Sequence, residues 1–179
     1  ICNYAQKKYP LPNNYLFGTS MGGNVVTRTI IEIQQNVDTH KHKDFCSKQR
    51  WSGIVLFAPM VGVNRNHTYN ALGTYFIEHW LAYYWPKAIL LSKTVGKDIY
   101  AYSRDKEMAE FMSQNPLIFP FGPRPKTGVE LIKTAQFVQD NLEVMGDTDI
   151  PLLVFHGTAD DVTESSMSLK MVESVSQRQ

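Results

Sequence analysis

YLFGTSMGGNVV, residues 15–26, decides how the rest of the chain is read. Three apolar residues, Tyr15 to Phe17, run into Gly18, and Ser20 stands between Gly18 and Gly22. From Gly22 to about Asn36, Val25, Val26, Thr29, Ile30 and Ile33 recur at helical spacing. A short buried strand, a Gly-x-Ser-x-Gly turn and a helix therefore follow one another. A sharp turn of this kind forces its serine into an unfavourable backbone region and leaves the hydroxyl clear at the strand end. The two glycines make room for strand and helix to approach. The helix directs its first N–H groups, that of Met21 among them, at the point where an oxyanion would develop. The same five residues also suit an ordinary small-residue turn; the strand before and the helix after favour a nucleophilic Ser20.

Moving outward, the helix after Ser20 is rich in β-branched residues, so burial and not propensity must hold it. GIVLFAPM (53–60) reads as a second buried strand stopped by Pro59, and PLLVFHG (151–157) as a third, closed by Gly157. Apolar runs without alternation, separated by helices, predict an α/β fold with a mostly parallel sheet covered by helices on both faces. Residues 1–63 and 127–179 form the two parts of the core. Residues 64–126 are rich in aromatics and broken by five prolines, and they read as an inserted helical cap. A helix from Thr127 to about Asn141 resumes the α/β pattern, and Ser165 to Ser176 is a last amphipathic helix.

VFHGTADDVT (154–163) places a carboxylate just after the third strand, on the same sheet edge as Ser20. Open α/β sheets bind ligands at that edge. Asp160 is the preferred acid and Asp161 the runner-up; turn or helix-capping chemistry is the competing reading of the pair. Of the five histidines, His156 lies in the strand and reads as a packing residue. His67 and His79 fall in the cap, and His40 and His42 in a polar surface stretch.

LFGTSMGGNVV, GIVLFAPM, NPLIFPFGPRPKTGVELIKTAQFV and IPLLVFHGTADDVT, in this order, resemble the monoacylglycerol lipase and lysophospholipase group of serine α/β hydrolases. The resemblance implies the α/β-hydrolase fold and a triad. Ser20 would attack an acyl ester, Asp160 would orient a histidine, and the cap would guide a lipid-like chain. The family often carries histidine where Thr19 stands. Its triad histidine lies beyond a further helix and strand, and none follows His156 here. The second oxyanion donor comes from a loop upstream of residue 1. The chain, which also begins without methionine, is therefore expected to be the central and cap portion of a longer hydrolase, lacking N-terminal strands and a C-terminal part. No metal or organic cofactor is implied.

Composition narrows the partners. The 179 residues carry 18 basic and 17 acidic side chains, a net charge of +1, which leaves no electrostatic footprint for nucleic acid. Cys2 and Cys46 make neither a disulfide framework nor a CxxC site. ICNYAQKKYPLPNN has no apolar leader region, and 71–91 is interrupted by Glu78, His79, Pro86 and Lys87, so it does not read as a membrane span. Tyr75, Phe76, Trp80, Tyr83, Tyr84 and Trp85 recur at spacings that suit a helix packed on a core. Some of them equally suit an acyl tunnel or contact with a membrane surface. A cytoplasmic or peripheral-membrane setting is favoured.

Overall fold

The computed structural model describes residues 7–8, 13–35, 51–63, 70–88, 103, 105–117 and 123–176. His40, His42, His67 and both cysteines lie outside them. Three strands, β1 (Tyr15–Thr19), β2 (Gly53–Phe57) and β3 (Leu152–Phe155), form one parallel sheet in the order β1-β2-β3. Phe17 pairs with Val55, and Phe57 with Phe155. All three strands therefore end on the same edge.

Helix α1 (Met21–Gln35) leaves β1 through Ser20. Between β2 and β3 come α2 (Ala71–Phe76), a π-helical turn (Ile77–Leu81), α3 (Ala82–Tyr84), α4 (Lys106–Gln114), α5 (Pro125–Asp140) and α6 (Leu142–Met145). Helix α7 (Ser165–Ser176) closes the described chain. Local chemistry sets several starts. Asn70 Oδ1 accepts the Gly73 N–H at 2.9 Å, and Asp105 Oδ1 accepts those of Glu107 and Met108 at 3.0 and 3.2 Å. Helix α5 begins at Pro125, two residues before the sequence expectation, because proline suits a first helical position whose N–H needs no acceptor.

The core lies on one face of the sheet. Ile54 and Leu56 of β2 are fully buried against Ile30 and Ile31 of α1, Val138 of α5, Met145 and Met171. The buried stripe of α1 is Gly23, Asn24, Thr27, Ile30 and Ile31, whereas Val25 is exposed. An apolar-only pattern misses this phase, because two members of the stripe are polar and satisfied by hydrogen bonds. Thr27 Oγ1 donates to Gly23 O at 2.9 Å.

The sheet is parallel and flanked by helices, as expected, and the described helices pack on its core face. The opposite face carries Tyr15, Phe17, Phe57, Leu153 and Phe155, all exposed, Phe17 to 63%. Phe17, Phe57 and Phe155 form an aromatic ladder with centroid distances of 5.4 and 4.6 Å. The helix aromatics are likewise not core: Tyr75, Phe76, Trp80, Tyr83, Tyr84 and Trp85 are each more than half exposed. Ala82 is the buried residue of that stretch, and the wide π turn shifts the phase of the residues after it, so simple helical spacing misplaces their faces. Among the described residues no helix is long and apolar enough to cross a membrane.

Candidate active site

Ser20 follows the last residue of β1 with φ 50°, in the left-handed region that side chains avoid. Such strain persists only where the surroundings over-determine it. Here the end of β2 and the loop leaving it hold both main-chain groups of the serine. Its N–H donates to Phe57 O at 3.0 Å, and its carbonyl accepts the Met60 N–H at 2.9 Å and the Asn24 N–H at 3.2 Å. That loop contains the other non-glycine residue of positive φ among the described residues, Ala58 at 41°, whose N–H donates to Phe155 O at 2.7 Å. The elbow is thus sewn through β2 to β3. Met21, the first residue of α1, stands where an N–H has no acceptor within the helix.

The glycines divide the work differently from the sequence expectation. A Cβ on Gly18 would stand 2.7 Å from Gly22 O and from Gly23 N and Cα. A Cβ on Gly22 would meet nothing within 4 Å, whereas one on Gly23 would lie 2.7 Å from Pro59 Cβ. The close approaches of this elbow therefore fall on Gly18 and Gly23, and Gly22 supplies no clearance.

Asp160 lies five residues beyond β3, in a turn that its own carboxylate organises. Oδ1 accepts the N–H groups of Val162 (2.8 Å) and Thr163 (2.9 Å), and Oδ2 accepts the Thr163 hydroxyl at 2.8 Å. His156 Nε2 stands 3.5 Å from Oδ2. Partial burial works to raise the carboxyl's pKa. The Thr163 N–H and hydroxyl, the Val162 N–H and His156 outweigh it, so Asp160 titrates below the usual carboxylate range. Asp161, the runner-up, is exposed.

His156 is nearly buried and fully engaged. The Thr163 hydroxyl, which donates to Asp160, accepts from Nε2 at 3.2 Å, and Nδ1 lies 2.7 Å from Ser168 Oγ. It therefore supports the acid turn as a packing and hydrogen-bonding residue. His79 stacks on Tyr75 at 4.1 Å, with Nδ1 3.0 Å from Tyr75 O, in the helices between β2 and β3. An antiparallel bridge between Val63 and Thr163 ties the loops after β2 and β3 together at the sheet edge.

Ser20 and Asp160 thus stand on the same edge, after strands two spacings apart, about 10 Å. A groove of about 450 Å³ lies alongside, between α5, α7 and Thr74 of α2, with Val63 and Glu164 in its wall; neither Ser20 nor Asp160 lines it. The sequence reading did not single out Asn24, Thr163, Ser168 or Ala58. The usable signal was an asparagine on the buried stripe of α1.

Comparison with known proteins agrees with this architecture. A caffeoylshikimate esterase of Arabidopsis thaliana is 31% identical over 164 residues, which is 90% of this chain and 43% of that protein. Two solved structures share the fold. One is a soluble variant of the monoglyceride lipase of Saccharomyces cerevisiae in complex with a substrate analogue (TM-score 0.68, 18% identity, 97% of this chain and 52% of that one). The other is the monoacylglycerol lipase of Paleococcus ferrophilus (TM-score 0.67, 20% identity, 97% and 58%). The chain therefore spans about half the length of these relatives. Residues 1–179 match the serine aminopeptidase S33 family, Hydrolase_4, from end to end. On that match and this fold, the chain belongs to the serine aminopeptidase S33 family of α/β hydrolases.

Proposed function

We propose that the protein is a serine ester hydrolase acting on acyl esters of the monoacylglycerol or lysophospholipid type. The observation that carries this reading is the strained, doubly held Ser20 at the mouth of α1. Ser20 Oγ attacks the ester carbonyl while the Met21 N–H receives the oxyanion. The alcohol leaves with a proton, and water then releases the acid from the acyl-enzyme. Asp160 orients the histidine that takes the serine proton and returns it to the leaving alcohol. That histidine belongs to the part of the hydrolase length this chain does not span. By itself the chain is expected to be nearly inactive, since loss of a triad histidine costs about a million-fold in turnover.

Residues 64–126 act as the cap in this reading. The exposed apolar faces of its described helices, with Tyr83 at 76% and Leu72 at 78% exposure, suit a lipid-like substrate or a membrane surface. A second reading, the same chemistry on another small ester, thioester or amide, is favoured by the relative named as a caffeoylshikimate esterase. A non-catalytic lipid- or partner-binding protein would have no use for a strained serine.

The test is fluorophosphonate labelling of the full-length protein beside Ser20→Ala. Labelling lost in the variant supports the hydrolase, and a panel of monoacylglycerols, lysophospholipids and aromatic esters then ranks the substrates. A folded full-length protein that takes no label refutes the enzyme reading in favour of the binding protein.

A further inference from the structure

Asn24 is the fourth residue of α1 and is 1% exposed. A buried amide is tolerated only when its donors and acceptor are met. Here they are: Nδ2 donates to Met60 O at 2.8 Å and to Thr134 O at 3.3 Å, and Oδ1 accepts the Thr134 hydroxyl at 2.8 Å. Two carbonyls can be met only by the NH2 side, so the amide has one orientation. Arg28 Nη1 donates to Thr134 Oγ1 at 3.0 Å and steadies the hydroxyl in turn.

The bond to Met60 matters because of what Met60 holds. Its N–H donates to Ser20 O, so the residue that fixes the strained serine is itself fixed, through its carbonyl, by Asn24. The bond to Thr134 reaches α5, where the preceding residue, Lys133, pairs with Glu78 of the π turn at 2.8 Å. Thr27, the other polar member of the buried stripe, donates back to Gly23 O, whereas Asn24 bonds outward to Met60 and to α5.

We propose that Asn24 is a positioning residue for Ser20: it locks Met60 onto the serine main chain and anchors that lock to α5, the helix that also pairs with the π turn. The catalytic part of this proposal rests on Ser20 being the nucleophile. The lock itself does not.

The experiment uses the full-length protein with Asn24→Ala, the near-isosteric Asn24→Asp, and Val138→Ala as a control. Val138 is fully buried in the core, one turn beyond Thr134 on α5, and takes part in none of the Asn24 hydrogen bonds. Two readouts are taken: the fluorophosphonate labelling rate with kcat and KM, and hydrogen exchange at the Ser20 and Met60 amides. Asn24→Ala and Asn24→Asp are expected to slow labelling about ten-fold, the kinetic equivalent of one hydrogen bond, through kcat and not KM. Both are expected to lose protection at Ser20 and Met60. Val138→Ala, although destabilised, is expected to keep protection and labelling near wild type.

Wild-type labelling and protection in both Asn24 variants would overturn the proposal, as would an equal loss in Val138→Ala. If the wild type takes no label, the hydrolase reading fails by itself. The exchange data then decide the lock: lost protection supports it and retained protection overturns it. If the Asn24 variants do not fold, Thr134→Val removes only the hydroxyl that orients the amide. A several-fold slowing with the same exchange pattern supports the proposal, and wild-type behaviour overturns it.

Discussion

The elbow makes a sharp prediction through its adjacent glycines. In Gly23→Ala the new methyl would stand 2.7 Å from Pro59 Cβ and 2.9 Å from Pro59 Cα. Carbon contacts settle near 3.5–4.0 Å, so something must move by about 1 Å. Pro59 has no rotatable tip to swing aside, and overpacking of this kind costs about 1–3 kcal/mol. In Gly22→Ala the methyl enters open space. Both substitutions gain the same helix-propensity benefit, roughly 0.5–1 kcal/mol, so it cancels between them. The difference between the two variants isolates the Pro59 contact at about 1–3 kcal/mol, or roughly 2–12 °C in Tm for a chain of this size. Urea denaturation followed by circular dichroism measures it, with Gly22→Ala expected at or slightly above wild type. Displacing Pro59 also displaces Met60, so Gly23→Ala is expected to label more slowly at Ser20. Equal stability of the two variants, or a worse Gly22→Ala, would refute the packing argument.

The acid turn makes a pH prediction. The carboxyl of Asp160 is held below its ordinary value, so the stability it contributes is full above its unfolded pKa, about 3.9, and is lost as pH falls through the lower folded value. Urea midpoints taken on the acid side are expected to fall less steeply in Asp160→Asn; an unchanged slope would count against the assignment. Thr163→Val removes the hydroxyl between Asp160 and His156 and is expected to cost about 1 kcal/mol at neutral pH while moving the acid limb upward. Glu78→Gln breaks an exposed ion pair with Lys133 and is expected to change stability by less than about 1 kcal/mol, a change that added salt would mask.

Much of the site was legible because the signals were local. Gly-x-Ser-x-Gly between an apolar run and a helical pattern placed Ser20 correctly at a strained strand-to-helix turn. Apolar runs bounded by Pro and Gly located all three strands, and the bounds of α7, Ser165–Ser176, agree with the sequence reading. What was not legible depends on register and distance. Asn24 meets residues 36 and 110 positions away, so its role could not be read from α1 alone. Gly22 and Gly23 are chemically identical, and only the path of Pro59 separates them. The apolar runs recorded which residues lie in the sheet, but not that Phe17, Phe57 and Phe155 would align on a face that stays exposed.

That aligned face carries the last prediction. Parallel strands normally have both faces covered, because the crossover helices that connect them pack on both sides of the sheet. Here the register stacks Phe57 on Phe155 at 4.6 Å and leaves Phe155 47% exposed, with Tyr15, Phe17 and Leu153 extending the patch. An exposed apolar face of this kind attracts dyes, lipids or other chains. The 179-residue chain is therefore expected to bind an apolar fluorescent dye while retaining its near-ultraviolet circular dichroism, which separates native exposure from a molten state. Phe17→Ser with Phe155→Ser is expected to lower dye binding several-fold. The patch residues lie across the sheet from Ile54 and Leu56, so the double variant removes apolar surface without emptying the core. Unchanged dye binding in a folded double variant would show that the exposed apolar surface lies elsewhere, with the aromatic helices between β2 and β3 as the next place to look.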